Sequence, residues 1–156
     1  MMDGDTTVTA ELRFLLVVPR QASVPLTASL FYTGDDPYAV RMAFHAGTDE
    51  VVEWIFARDL LTAGLTDPAG RGDVRTWPSP SGHGHGGEPV LNIVLSSPFG
   101  EAHFEAPMTA MAEFLRRTYD AIPAGREGEF FDIGAELDSL LWRARGAGHE
   151  PDPAAG

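Results

Sequence analysis

Thr7-Val8-Thr9-Ala10-Glu11-Leu12-Arg13-Phe14-Leu15-Leu16-Val17-Val18 decides the fold. Its even positions from Val8 to Val18 are apolar, while Thr7, Thr9, Glu11 and Arg13 are polar. A period of two is that of a strand with one face in a core and the other toward water. Working outward, Val24, Leu26, Ala28, Leu30 and Tyr32 repeat the pattern after a Pro19-Arg20-Gln21 break. Tyr38, Val40, Met42 and Phe44 repeat it again after the turn Thr33-Gly34-Asp35-Asp36-Pro37. Alternating strands joined by turn residues predict antiparallel pairing of neighbours. A turn over Ala46-Gly47-Thr48-Asp49 leads to a fourth strand with Val52, Trp54 and Phe56 on one face. Its other face, Val51, Glu53 and Ile55, is also largely apolar, so a covering element is expected there.

At Ala57 the spacing changes. Leu60, Leu61 and Leu65 suit a short helix that Gly64 interrupts and Pro68 stops. Gly72 to Trp77, Pro89 to Ser96 and Glu101 to Ala106 read as further strands, the last two joined by Ser97-Pro98-Phe99-Gly100. Pro107 suits a first helical position, and Met108, Met111, Ala112, Leu115 and Tyr119 recur at spacings of three and four. Asp132 can cap a second helix with an apolar stripe of Ile133, Leu137, Leu140 and Leu141. The expectation is an α+β domain over residues 6–144. It has two antiparallel sheets of about seven to eight strands in total, a short connecting helix and two C-terminal helices. Residues 1–5 and 145–156 are expected to be flexible tails, and 78–89 a mobile loop.

Composition narrows the function. The 156 residues carry 23 acids against 11 arginines and no lysine, a formal charge of −12. Such a surface repels phosphate backbones and anionic lipid at long range, so no nucleic acid is expected as a partner. Cysteine is absent, which removes thiolate metal sites and cysteine nucleophiles and suits a reducing compartment. The acidic, polar start lacks the basic and apolar regions of a secretory signal, and the longest apolar run, Phe14 to Val18, is far short of the roughly 20 residues that span a bilayer. A cytoplasmic protein without membrane insertion is expected.

Gly82-His83-Gly84-His85-Gly86-Gly87 satisfies G-x-G-x-x-G in form. The dinucleotide motif needs a strand before it and a helix after it; this stretch follows a Trp77-Pro78-Ser79-Pro80 break and precedes a strand, so it reads as a loop. His83, His85, Glu88 and His103 suggest a metal only if held rigidly, which a glycine-rich loop does not provide. Ser96 and Ser97 lack a nucleophile context, and the pairs Asp35/Asp36 and Asp49/Glu50 fall in turns. No catalytic residue, cofactor or metal is assigned. Arg116 and Arg117 point about 100° apart on a helix and form no clamp, whereas Glu113 and Arg116 suit an ion pair. Trp54 and Phe56 read as core; if Trp54 or Trp142 is instead exposed among apolar neighbours, it becomes a contact for a subunit or partner.

The stretch Asp36-Pro37-Tyr38-Ala39-Val40-Arg41-Met42-Ala43-Phe44-His45-Ala46-Gly47, continuing through Val52 to Leu65, resembles the SsgA-like proteins, sporulation-specific cell division proteins of filamentous actinobacteria. Gly72 to Pro78, Ile93 to Pro98, Phe114 to Thr118 and Phe131-Asp132-Ile133 extend the resemblance from about Thr6 to about Ala144. The wording Glu53-Trp54-Ile55-Phe56-Ala57-Arg58-Asp59-Leu60-Leu61 is most similar to the SsgB branch. The resemblance implies a non-enzymatic protein that helps localise FtsZ at division septa, with an SsgA-type partner and a homotrimeric assembly. It also implies a fold like that of Whirly-type and guide-RNA-binding proteins, whose nucleic-acid binding is the alternative function. Trp54, Arg58, Asp59, Arg116, Arg117 and Trp142 are the candidate protein-contact residues.

Overall fold

The structure, a computed structural model, describes residues 7–45, 51–84 and 86–129. The expected turn over Ala46–Asp49, the helix from Asp132, Trp142 and both tails lie outside the described residues. The described residues form eight strands: β1 (Thr7–Val17), β2 (Val24–Thr33), β3 (Ala39–His45), β4 (Val51–Ala57), β5 (Ala69–Arg71), β6 (Val74–Ser79), β7 (Val90–Ser97) and β8 (Gly100–Pro107). Helix α1 (Arg58–Gly64) follows β4 and helix α2 (Met108–Ala121) follows β8, with a 3-10 turn at Glu127–Glu129. Pro107 is the N-cap of α2, one position earlier than expected.

The expectation of two sheets is corrected. All eight strands join one antiparallel sheet in the order β4-β3-β2-β1-β8-β7-β6-β5. The join is β1, which pairs with β2 from Thr7 to Leu16 and also, through Leu15, Leu16 and Val17, with Glu105, Phe104 and His103 of β8. This pairing links segments some ninety residues apart, where hairpin signals in the sequence are silent.

The sheet curls strongly. Phe44 on β3 and Phe104 on β8 are three strand spacings apart, about 14 Å if the sheet were flat. Their rings nevertheless stack at 4.7 Å between centroids, and Phe14 meets Phe44 edge-on at 5.6 Å. The two halves therefore fold face to face about β1, and the inward residues of both form one core with Leu30, Val40, Met42, Phe56, Leu91 and Ile93. Helix α2 lies over β1, β7 and β8 through Met111, Phe114 and Leu115, closing one side. Helix α1 packs on β4, β5 and β6. Gly64 ends α1 against the sheet; a Cβ there would sit 2.3 Å from Thr76 Oγ1 and 3.1 Å from Leu91 Cδ1.

Candidate protein-contact site

Arg58 opens α1 and points inward. Its side chain is 1% exposed. Nη1 donates to the carbonyls of Thr118 (3.0 Å) and Ile122 (2.8 Å), and Nη2 donates to Glu127 Oε2 at 2.7 Å. The guanidinium lies 3.9 Å from the Tyr119 ring centroid and 4.9 Å from that of Tyr32. Helix α2 has no basic residue in its last turn, so this cation arriving from another element satisfies its terminal carbonyls and meets the negative end of its dipole. Burial would raise the Glu127 pKa, but the hydrogen bonds from Arg58 and from the backbone outweigh it and hold the carboxyl below its ordinary value. Burial pushes the Tyr32 hydroxyl up to about 12. Arg58 is thus an internal brace, which corrects its assignment to a contact surface: an arginine so enclosed cannot reach a partner.

Asp59 is exposed and accepts a hydrogen bond from Tyr119 Oη at 3.2 Å, while Tyr119 Oη also meets Thr62 Oγ1 at 2.8 Å. Arg116 is exposed and bridges Glu113 and Asp120, each at 2.5 Å. Arg117 turns the other way, donating to the Thr9 carbonyl at 2.8 Å across β1. The two arginines form no clamp. Trp142 lies outside the described residues.

Trp54 is half-buried, and it lines an apolar stretch of surface. The curled sheet leaves an apolar cleft of about 400 Å³ between β4 and the β7–β8 hairpin. Leu26, Phe44, Val52, Trp54 and Phe104 form much of its wall, with Ser96, Ser97 and Glu101 as its polar lining. Phe99, at the hairpin tip, is 99% exposed beside it. Beyond the cleft, β4 is the terminal strand of the sheet, and Val51, Val52 and Ile55 are exposed on it. The covering element expected over Val51 and Ile55 is absent among the described residues. Sequence reading missed Phe99 because turn positions carry no periodicity.

The second polar cluster lies on the outer face of β7 and β8. Glu105, 2% exposed, accepts hydrogen bonds from the His83 backbone N–H (2.8 Å) and from His83 Nδ1 (2.6 Å). His103 Nε2 donates to Asn92 Oδ1 at 2.7 Å, and burial holds the His103 imidazole below its ordinary pKa. Gly82 and Gly84 serve close packing: a Cβ on Gly82 would lie 2.6 Å from Val90 and one on Gly84 2.8 Å from Leu15. This part of the loop covers sheet. Residues 78–89, expected as one loop, begin inside β6. Among the described residues, no three histidine, aspartate or glutamate side chains are placed to share a metal ion. Ser96 Oγ meets Glu101, and Ser97 Oγ accepts from the Phe99 N–H, both as hairpin-turn residues.

The family model described as Streptomyces sporulation and cell division protein, SsgA, matches residues 26–127. The chain is 53% identical to the sporulation-specific cell division protein SsgB of Thermobifida fusca (strain YX) over 141 residues, covering 90% of this chain and 99% of the relative. It is also 53% identical to SsgB of Streptomyces coelicolor over 137 residues, covering 88% and 97%. The crystal structure of an SsgA-like sporulation-specific cell division protein from Thermobifida fusca superposes with a TM-score of 0.78 at 52% identity, covering 90% of this chain and all of that one. By the extent of these matches, the chain belongs to the SsgA family of sporulation and cell division proteins, and within it is similar to SsgB.

Proposed function

We propose that the protein is a non-enzymatic sporulation-specific cell division protein that helps localise FtsZ and septum assembly at division sites. In this reading it is a homotrimer over a single domain, residues 6–144, on the cytoplasmic side of the septum, and an SsgA-type protein is its second partner. The names of its relatives support the cell-division role. The observation that carries the mode of action is the apolar β4 edge with the Trp54 cleft beside it, a surface built for adhesion. The contact residues are proposed to be Trp54, Asp59, Arg116, Arg117 and Trp142. No helix of the described residues is long and apolar enough to cross a membrane, so membrane proximity would come through a partner. The nucleic-acid alternative is not favoured: Arg41, Arg75, Arg116 and Arg126 each sit beside a carboxylate, which leaves little basic charge for a phosphate backbone.

The test is a pull-down of the purified protein against FtsZ of its own organism, with light scattering on the same sample. Specific retention by a trimer is the expected result. A folded protein that ignores FtsZ with and without the SsgA-type partner overturns the reading.

A further inference from the structure

We infer that the edge of β4, unpaired among the described residues, accepts an extended partner segment as an added strand, and that this segment carries apolar side chains on one face and lysine or arginine on the other. The inference rests on the scaffold reading and names the chemistry of what docks.

Edge strands are ordinarily blunted by shortness, by charge or by proline, because unpaired N–H and C=O groups otherwise recruit another chain. The opposite edge of this sheet obeys that rule: β5 has three residues, two of them Gly70 and Arg71. The β4 edge does not. It runs for seven residues, holds no proline, and its one charge, Glu53, faces Arg41 at 3.9 Å. Ile55, 64% exposed, and Val51 stand on its outer face, and Val52 and Trp54 on the face that leads into the cleft.

A strand laid on this edge would alternate its side chains between two different environments. On the inner face, the cleft has room for a large apolar side chain against Trp54, Phe44 and Phe104. On the outer face, a dimple of about 60 Å³ is walled by Phe31, Asp36, Arg41 and Ile55, and Glu53 lies next along the strand. Glu101 on the cleft side is paired with Arg75 at 3.2 Å, but Asp36 in the dimple and Asp59 just past the strand end are in no ion pair among the described residues, in a chain of charge −12 without lysine. The field along the edge is therefore acidic, and complementarity selects a basic segment.

The probe is a blocked ten-residue peptide alternating valine or leucine with lysine, titrated against the full chain by fluorescence anisotropy. Three comparison peptides carry glutamate for lysine, serine for the apolar residues, or N-methyl groups on alternate backbone nitrogens. The lysine peptide should bind, weaken steeply as salt rises, and lose at least tenfold in affinity with each of the three changes. Ile55→Lys and Trp54→Ala should each lose at least tenfold as well; Ile55→Thr, which keeps strand propensity at an exposed position, serves if either fails to fold. Equal binding of the glutamate or N-methylated peptide overturns the inference, as does no binding at all. Dissociation of an oligomer by Ile55→Lys, with no competition from peptide, also overturns it and assigns the edge to a second copy. FtsZ retention undisturbed by excess peptide or by Ile55→Lys sinks this inference and leaves the scaffold reading standing. Peptide binding without FtsZ retention supports the inference and sinks the scaffold reading.

Discussion

Arg58 shows how far a single residue can depart from its type. Arginine is almost never fully buried unless paired, and here the pairing comes from partners 60, 64 and 69 positions away, so nothing near Arg58 in sequence announces it. Removing the cation strips Glu127 Oε2 and the Ile122 carbonyl of their guanidinium donor, while Glu127 Oε1 keeps the Gly125 N–H and the Thr118 carbonyl keeps the Ile122 N–H, and Arg58→Met should cost about 3–5 kcal/mol in urea denaturation. Arg58→Lys should recover only a small part, because one ammonium cannot replace a planar fork that reaches three acceptors and stacks on a ring. Glu127 sets a pH dependence of known sign. Its folded pKa is depressed, so its contribution is fully present above the ordinary carboxylate range of about 4.3 and is lost as pH falls through the lower folded value. Urea midpoints measured down through that range should fall for the native protein and fall less steeply for Glu127→Gln; identical slopes would remove Glu127 from the acid transition.

At the scale of elements, alternation locates β1, β2 and β3 and turn-bounded runs locate β6, β7 and β8, each within about two residues, and β4 is marked by its Val52-Trp54-Phe56 face. β5 was invisible, since Ala69-Gly70-Arg71 has no apolar alternation and exists through its pairing with Val74, Arg75 and Thr76. Gly64 reads in sequence as an interruption of helix α1, yet it is the residue that lets the helix end touch β6. Gly64→Ala should therefore destabilise by about 1–3 kcal/mol, seen as a lower Tm, although alanine favours helix. The loop over the β7–β8 face gives the complementary test. His83→Ala removes the ring donor to Glu105, and amide exchange at Gly82–Gly84 should accelerate at least tenfold while exchange in the middle of α2 is unchanged. Unaltered exchange in the loop would mean that the backbone N–H bond from position 83 to Glu105 and the packing of Gly82 and Gly84 hold it without the ring.

For the whole molecule, the decisive fact is that two half-sheets share one core through Phe14, Phe44 and Phe104. Unfolding should be a single transition in which tryptophan fluorescence and far-ultraviolet circular dichroism coincide. Phe44→Ala should cost about 3–5 kcal/mol and keep that coincidence, because the ring is buried against both halves. Separate transitions by the two probes would restore two independent sheets. The same curl creates the Trp54 cleft, since only a sheet bent back on itself brings Val52 of β4 near Phe99 of the β7–β8 turn. The candidate site was therefore legible in part. Trp54 was named from its type and neighbours, whereas its companions on the hairpin are remote in sequence and joined to it by the bend.

Sequence alone determined the α+β class, the antiparallel succession of strands, the amphipathic α2 and the family, because each is written in local periodicity or in residue order. Tertiary structure decided that the strands form one sheet, that Arg58 is a brace and Trp54 the half-buried wall of a cleft, and that β4 is the terminal strand among the described residues. These depend on which distant segments meet, a contest of long-range burial and hydrogen bonding that no local pattern records.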